Sequence, residues 1–232
     1  MKTEKKQTRL NGTERLNDIY RVAARIICEK GYDGTSMSDI ADAVGITKAG
    51  VYHHIAGKRE LLFAIMSYGM DSLENAVITP ARSIADPEQR LRAVIINHAR
   101  LITTHSTPQG NFITIVVDEV AGLTPDHRQE ITRRKRAYID LVRETLKELS
   151  REGKLREVDP TVGAFSLLGM ILWLSRWYDP NGRLSSEQVA DEVSKIALSG
   201  LLTPGPTSGP KPQSAAEPVY DPAPLPSHSP DA

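Results

Sequence analysis

Between Thr47 and Lys58 the sequence crowds hydrogen-bond donors onto a short apolar frame. Thr47, Lys48, Tyr52, His53, His54 and Lys58 alternate with Val51 and Ile55. Hydroxyl, ammonium, phenol and imidazole groups in this order suit contacts to phosphate oxygens and base edges. As an acid–base or metal centre the stretch is poor. Adjacent His53 and His54 on a helix point about 100° apart and do not converge on one ion, and no His–carboxylate motif lies close by.

The elements that must hold these groups read clearly. Ser36, with Asp39 three residues on, caps one short helix as far as Val44. Gly45 turns the chain, and Thr47 caps a second helix. Two short helices joined by a turn containing Gly form a helix-turn-helix. Ile40, Ala41, Val44, Ile46, Val51 and Ile55 clamp the pair. Thr47, Lys48, Ala49, Gly50, Tyr52, His53 and His54 are left facing outward. Thr47 can donate to a phosphate, Lys48 reaches either a guanine edge or a phosphate, and Gly50 leaves room for close backbone approach. Thr35 and Ser36 can add backbone contacts from the preceding helix start. Lys58, at the next helix N-terminus, is placed for a phosphate or else is simply solvated. Ahead of the pair, Asn11 with Glu14 caps a helix whose Leu16, Ile19, Tyr20, Ala23, Ile26 and Ile27 recur at helical spacing until Gly31. That helix is the buttress without which two short helices bury too little surface.

Thr35-Ser36-Met37-Ser38-Asp39-Ile40-Ala41, then Val44-Gly45-Ile46-Thr47-Lys48, Val51-Tyr52-His53-His54-Ile55 and Lys58-Arg59-Glu60-Leu61-Leu62 resemble the DNA-binding signature of the TetR family of bacterial regulators. The resemblance covers about residues 14–62. Ile55 and Ala56 depart from it, standing where the family usually has Phe and a polar residue or Pro. It implies that Tyr52 and His53, with His54 beside them, contact the phosphate backbone. It also implies an all-α protein: a three-helix DNA-binding domain, then a helical ligand-binding and dimerisation domain, about nine helices in all.

The totals agree with such a protein. Formal net charge is zero, with 40% hydrophobic and 25% charged residues, so attraction to DNA must come from local asymmetry. From Lys2 to Arg25 seven basic residues face three acidic ones, and such an arm can follow a phosphate backbone. One cysteine excludes an internal disulfide, and Cys28 falls on the apolar face of the first helix. No apolar run nears the roughly 20 residues of a membrane span, and the polar N-terminus lacks signal-peptide form. These features point to a cytoplasmic protein. No phosphate loop or nucleophile elbow is present, so the reading is not an enzyme and needs no cofactor.

The rest of the chain continues in helices. One runs from Lys58 to about Val77 as a lever between domains, with Pro80 punctuating the connection beyond it. Asp86-Pro87 starts the next, to about Thr104. Phe112 to Ala121 is apolar on nearly every side and reads as central and buried. Thr124-Pro125 opens a long amphipathic helix to about Glu152, Asp159-Pro160 another to about Tyr178, and Ser185 with Gln188 a last one ending at Gly200. The expected boundaries are 1–10 for a flexible basic arm, 11–57 for the DNA-binding domain, 58–202 for the regulatory domain and 203–232 for a disordered tail. Nine of the fifteen prolines fall in that tail.

For a ligand pocket the residues combining apolar spacing with polar or aromatic ends are His98, His105, Asn111, Phe112, Ile115, Glu119, Tyr138, Trp173, Arg176 and Trp177. A metal site from His98, His105 and Asp118 or Glu119 lacks tight ligand spacing, so none is expected. Ala164, Leu167, Leu168, Ile171, Val189, Val193 and Ile196 supply either a homodimer contact or intramolecular core, and dimerisation is the expectation carried forward. The segments 131–138 and 169–185 are similar to C-terminal domains of TetR-type regulators of lipid, steroid and aromatic-acid breakdown. That similarity implies an apolar acid or its acyl-CoA thioester as effector, with Arg133, Arg134 or Arg176 as anion partners. The expected partners are double-stranded operator DNA, this effector and a second copy of the chain.

Overall fold

The computed structural model describes residues 12–104, 115 and 120–204. The described residues are helices and turns, apart from an isolated antiparallel bridge between Leu155 and Leu202. Helix α1 spans Gly12–Lys30, α2 Met37–Val44 and α3 Lys48–His54. Then come α4, Lys58–Leu73, α5, Thr79–Arg82, and α6, Pro87–Thr104. A 3-10 turn at Val120–Gly122 precedes α7, Pro125–Arg151, followed by α8, Pro160–Trp177, and α9, Ser186–Leu201. The basic arm, the Asn11 cap, most of the 112–121 segment and all but the first residues of the tail lie outside the described residues. Ile115 is described, and it is helical and buried.

The helix starts arise from local chemistry. Ser36 and Asp39 form a reciprocal capping box at α2, and Ser185 with Gln188 repeats it at α9. The Asp159 carboxylate accepts from the N–H groups of Thr161 and Val162, and the Asp86 carboxylate from Gln89. Each satisfies orphan donors of a first turn.

Beyond Leu73 the structure departs from the expected end near Val77. The chain passes through a π-helical turn, Glu74–Ile78, directly into α5. Pro80 therefore sits in the first turn of α5 rather than in a linker. Pro80 has no N–H to donate to the preceding turn, and it falls where the ladder has already left the α-helical register. Glu74 accepts from Thr79 at 3.2 Å and from Arg82 at 3.0 Å, closing the irregular turn from outside.

Two groups of helices result. α1, α2, α3 and the start of α4 pack around Ile19, Ile40, Val51 and Leu61. In the second group α6 is central and touches α7, α8 and α9. Burying each large aliphatic there contributes about 1.5–3 kcal/mol. α4 belongs to both groups, since it packs on α1 at one end and on α7 along its length.

Candidate nucleic-acid interface and effector cavity

The turn between α2 and α3 is set by Gly45 at φ 75°, whose N–H donates to Ala41 O at 3.0 Å. Only a residue without a Cβ enters this left-handed region at low cost. The Thr47 hydroxyl then accepts from Gly50 N–H at 3.0 Å and starts α3. A Cβ at Gly50 would come 3.3 Å from that hydroxyl, so this glycine protects the cap as well as leaving the outer face open. Val51 and Ile55 are buried and α3 packs on α2, which turns Lys48, Ala49, Tyr52 and His53 outward together. His54 is exposed too, but it lines a cleft with Tyr20, Phe63 and Tyr68 between α1 and α4.

The start of α2 is electrostatically fixed. The Ser36 hydroxyl and backbone N–H, with Lys30 3.2 Å away, hold the Asp39 carboxyl down at about 2. Ser36 itself remains exposed. Thr35 does not: it is 2% exposed, and its hydroxyl donates to Gly31 O at 2.9 Å. The expectation of an outward Thr35 is corrected, because this hydroxyl closes the C-terminus of α1. Lys58 stands over the Tyr32 ring at 4.2 Å and donates to Asp33 O at 3.3 Å. Its ammonium therefore braces α4 against the α1–α2 loop.

Between α4, α6, α7 and α8 lies a cavity of about 270 Å³. Met70 and Leu73 of α4 and Leu168 and Leu172 of α8 make it apolar, and Phe165 lies at its edge. His98 of α6 and Tyr138 of α7 supply the polar atoms, with Lys135 at the wall. Burial lowers the His98 pKa to about 4 and pushes the Tyr138 hydroxyl well up. Both are neutral near pH 7. Of the other residues expected at the pocket, His105, Asn111, Phe112 and Glu119 lie outside the described residues, and Ile115 is buried.

Three expected pocket residues are not found on this cavity wall. Trp173 is 64% exposed on the outer face of α8, and Trp177 and Arg176 are exposed beside it. The anion partners also shift. Arg134 bonds Asp71 of α4 at 2.6 Å and Arg133 pairs with Glu130 at 2.8 Å. The dimer set is corrected in the same way. Ala164, Leu167, Leu168, Ile171, Val189 and Val193 are buried within one chain, so they form its core. Ile196 of α9 is 63% exposed, and Val162, Phe165, Trp173 and Trp177 of α8 are exposed as well. Helical periodicity found the apolar positions but could not tell which face α6 already covers.

The two halves meet at α7 and the turn before it. The His127 ring stacks on Phe63 of α4, centroids 3.8 Å apart and nearly parallel. A Cβ on Gly122 would fall 2.8 Å from Leu62 Cδ2 and 2.9 Å from Tyr32 Cε1, so the turn presses bare backbone onto the DNA-binding unit.

Residues 19–65 match the family described as bacterial regulatory proteins, tetR family, and residues 85–201 match the tetracyclin repressor-like C-terminal domain. The chain belongs to the TetR family. A TetR-type chain of this kind is a DNA-binding transcriptional regulator. It is 46% identical to AibR, solved in complex with isovaleryl coenzyme A and operator DNA; the match covers 78% of this chain and 97% of that one, with a TM-score of 0.70. The transcriptional repressor KstR2 of Rhodococcus jostii is 28% identical over 193 residues, 82% of this chain and 92% of its own. The structure of the ketosteroid transcriptional regulator KstR2 of Mycobacterium tuberculosis superposes with a TM-score of 0.74 at 25% identity, over 84% of this chain and 97% of that one. Among the described residues no helix is long and apolar enough to cross a membrane.

Proposed function

We propose that this TetR-type regulator is a homodimeric repressor that grips a palindromic operator and lets go when an acyl-CoA thioester enters each regulatory domain. The observation that carries the reading is the apolar cavity of about 270 Å³ walled in part by α4, the helix that also packs on α1. A ligand that fits one arrangement of α4 better than another shifts the protein between them. The AibR structure, holding an acyl-CoA and operator DNA together, supports the same ligand class here.

In this reading α3 enters the major groove. Lys48, Ala49 and Gly50 approach base edges, Thr47, Tyr52, His53 and Ser36 contact phosphates, and His54 and Lys58 stand at the margin. Two copies of α3 about 34 Å apart or more address successive half-sites. The exposed Trp173, Trp177 and Ile196 face supplies the contact between copies. Domain limits of 11–57 and 58–202 go with this reading.

The test is binding to DNA from the gene's own upstream region against random DNA at one fixed salt concentration, with and without a panel of acyl-CoA esters. A specific complex released by one ester is expected. Specific binding untouched by every ester would leave a regulator with another effector, and equal binding to random DNA would refute the operator reading. A reporter that falls on loss of the protein would mark an activator.

A further inference from the structure

A second feature lies on the same helix as the cavity. Along the outer side of α7 runs a groove of about 490 Å³ whose described wall is Pro125, Arg128, Gln129, Thr132, Arg133 and Arg136. Three guanidinium groups thus line one depression. Glu130 neutralises Arg133, and Arg128 donates to the carbonyls of Ala121 and Leu123 at 3.2 and 3.4 Å. Arg136 is exposed and makes no hydrogen bond or ion pair among the described residues. The helix start at Pro125 adds its positive dipole end to the same side.

The walls of the groove and of the cavity include neighbouring positions of α7. Thr132 and Arg136 line the groove; Lys135 and Ile139 line the cavity. Thr132 and Lys135, like Arg136 and Ile139, are three residues apart, which on a helix puts their Cβ atoms about 5–6 Å from each other. A ligand leaving the cavity past Lys135 therefore meets Arg136 within one turn. The cavity's volume of about 270 Å³ is room for a short acyl group.

Resting on the acyl-CoA reading above, we infer that the effector binds in two parts: a compact acyl group among His98, Tyr138 and Leu172, and the phosphorylated carrier across α7 in the Arg128–Arg136 groove, with Arg136 as its principal anion partner. Guanidinium–phosphate bonds are charge-assisted and bidentate, so this subsite supplies affinity for the carrier and the cavity supplies selectivity for the acyl group.

The test compares binding of isovaleryl-CoA and of S-isovaleryl-pantetheine, which lacks the phosphates, to the full chain by calorimetry. Arg136→Gln is expected to weaken isovaleryl-CoA binding about tenfold or more and to leave the pantetheine ester unchanged. Lys147→Gln removes the same charge farther along α7, from a pair with Glu144, and should alter neither. Loss of both ligands alike in Arg136→Gln, or of neither, overturns the subsite while the acyl-CoA reading stands. A wild-type chain that binds neither of these nor any other ester of the acyl-CoA panel overturns both. Arg128→Gln is the less clean variant, because that side chain also holds the turn before α7.

Discussion

The Tyr138 hydroxyl lies 3.0 Å from His98 Nδ1, and the two rings meet edge to face with centroids 5.5 Å apart. Both side chains are buried, so neither atom of this bond exchanges freely with water. A polar pair in an apolar cavity is costly unless each partner satisfies the other. The pair gives the cavity floor one fixed hydrogen bond, which a carbonyl-bearing ligand can join or displace.

That burial makes stability depend on pH. An unfolded imidazole takes its proton near pH 6.5, whereas the folded His98 takes one only near 4. The unfolded chain therefore binds more protons between these values, and stability must fall as the pH is lowered through that window. The contribution is fully present above pH 6.5 and amounts to about 3 kcal/mol. Guanidinium titrations at pH 7 and pH 5 should show about 2 kcal/mol of this loss in the wild type and a smaller one in His98→Gln. An equal loss in both would assign the pH dependence to other groups.

At the α2–α3 turn, Gly45 at φ 75° has open space around a hypothetical Cβ. The cost of a side chain there is backbone strain alone. Gly45→Ala should lower stability by about 1 kcal/mol and Gly45→Asn by less, since asparagine visits the left-handed region more readily. Thermal melts of the three chains give the order directly; an alanine variant as stable as the wild type would contradict it.

Gly122 is the opposite case, because there the backbone is relaxed and the space is missing. Gly122→Ala must push against Leu62 Cδ2 and the Tyr32 ring, at about 1–3 kcal/mol. Combining it with Leu62→Ala, which deletes the obstructing methyl, should give less loss than the two single changes added together. Strict additivity in such a double-mutant cycle would mean the contact is not the source of the cost.

The open apolar face of α8 and α9 predicts an association phenotype. Trp173→Glu with Ile196→Glu places charge where both side chains are mostly exposed, so the fold of one chain should survive. Sedimentation should show the wild type at twice the 25.5 kDa chain mass and the double variant at the single mass, with helical circular dichroism retained. A wild type that sediments as a single chain would remove the dimer from the proposed function.

Local chemistry was legible in the sequence wherever partners lie three or four residues apart. The Ser36–Asp39 and Ser185–Gln188 boxes, the Asp159 cap and the Gly45 turn could all be read because a cap and its donor share one turn. Positions such as Val51 and Ile55 were assigned to the buried side of α3 from spacing alone. The Thr35 hydroxyl is a local exception: its acceptor, Gly31 O, lies four residues back, whereas the sequence groups Thr35 with the start of the following helix. The rest of what escaped depends on residues far apart in the chain. Lys58 meets Tyr32 across 26 positions, and Arg134 meets Asp71 across 63. The buried faces of α8 and α9 could not be separated from their open faces either, because both are apolar and only the placement of α6 decides between them. Arg133 and Arg134 were named from the sequence as anion partners, with no sign there that Glu130 and Asp71 had already taken them.

Arg128 sits at a fork. The same guanidinium that lines the groove also holds the carbonyls of Ala121 and Leu123, on either side of the glycine wedged against Leu62 and Tyr32. A fork of five donors has a finite supply, and an anion that draws on it competes with those two carbonyls. Effector and DNA-reading unit would then be rivals for one side chain, and the exchange would be felt as a loosened doorstop rather than as a push transmitted along a rod.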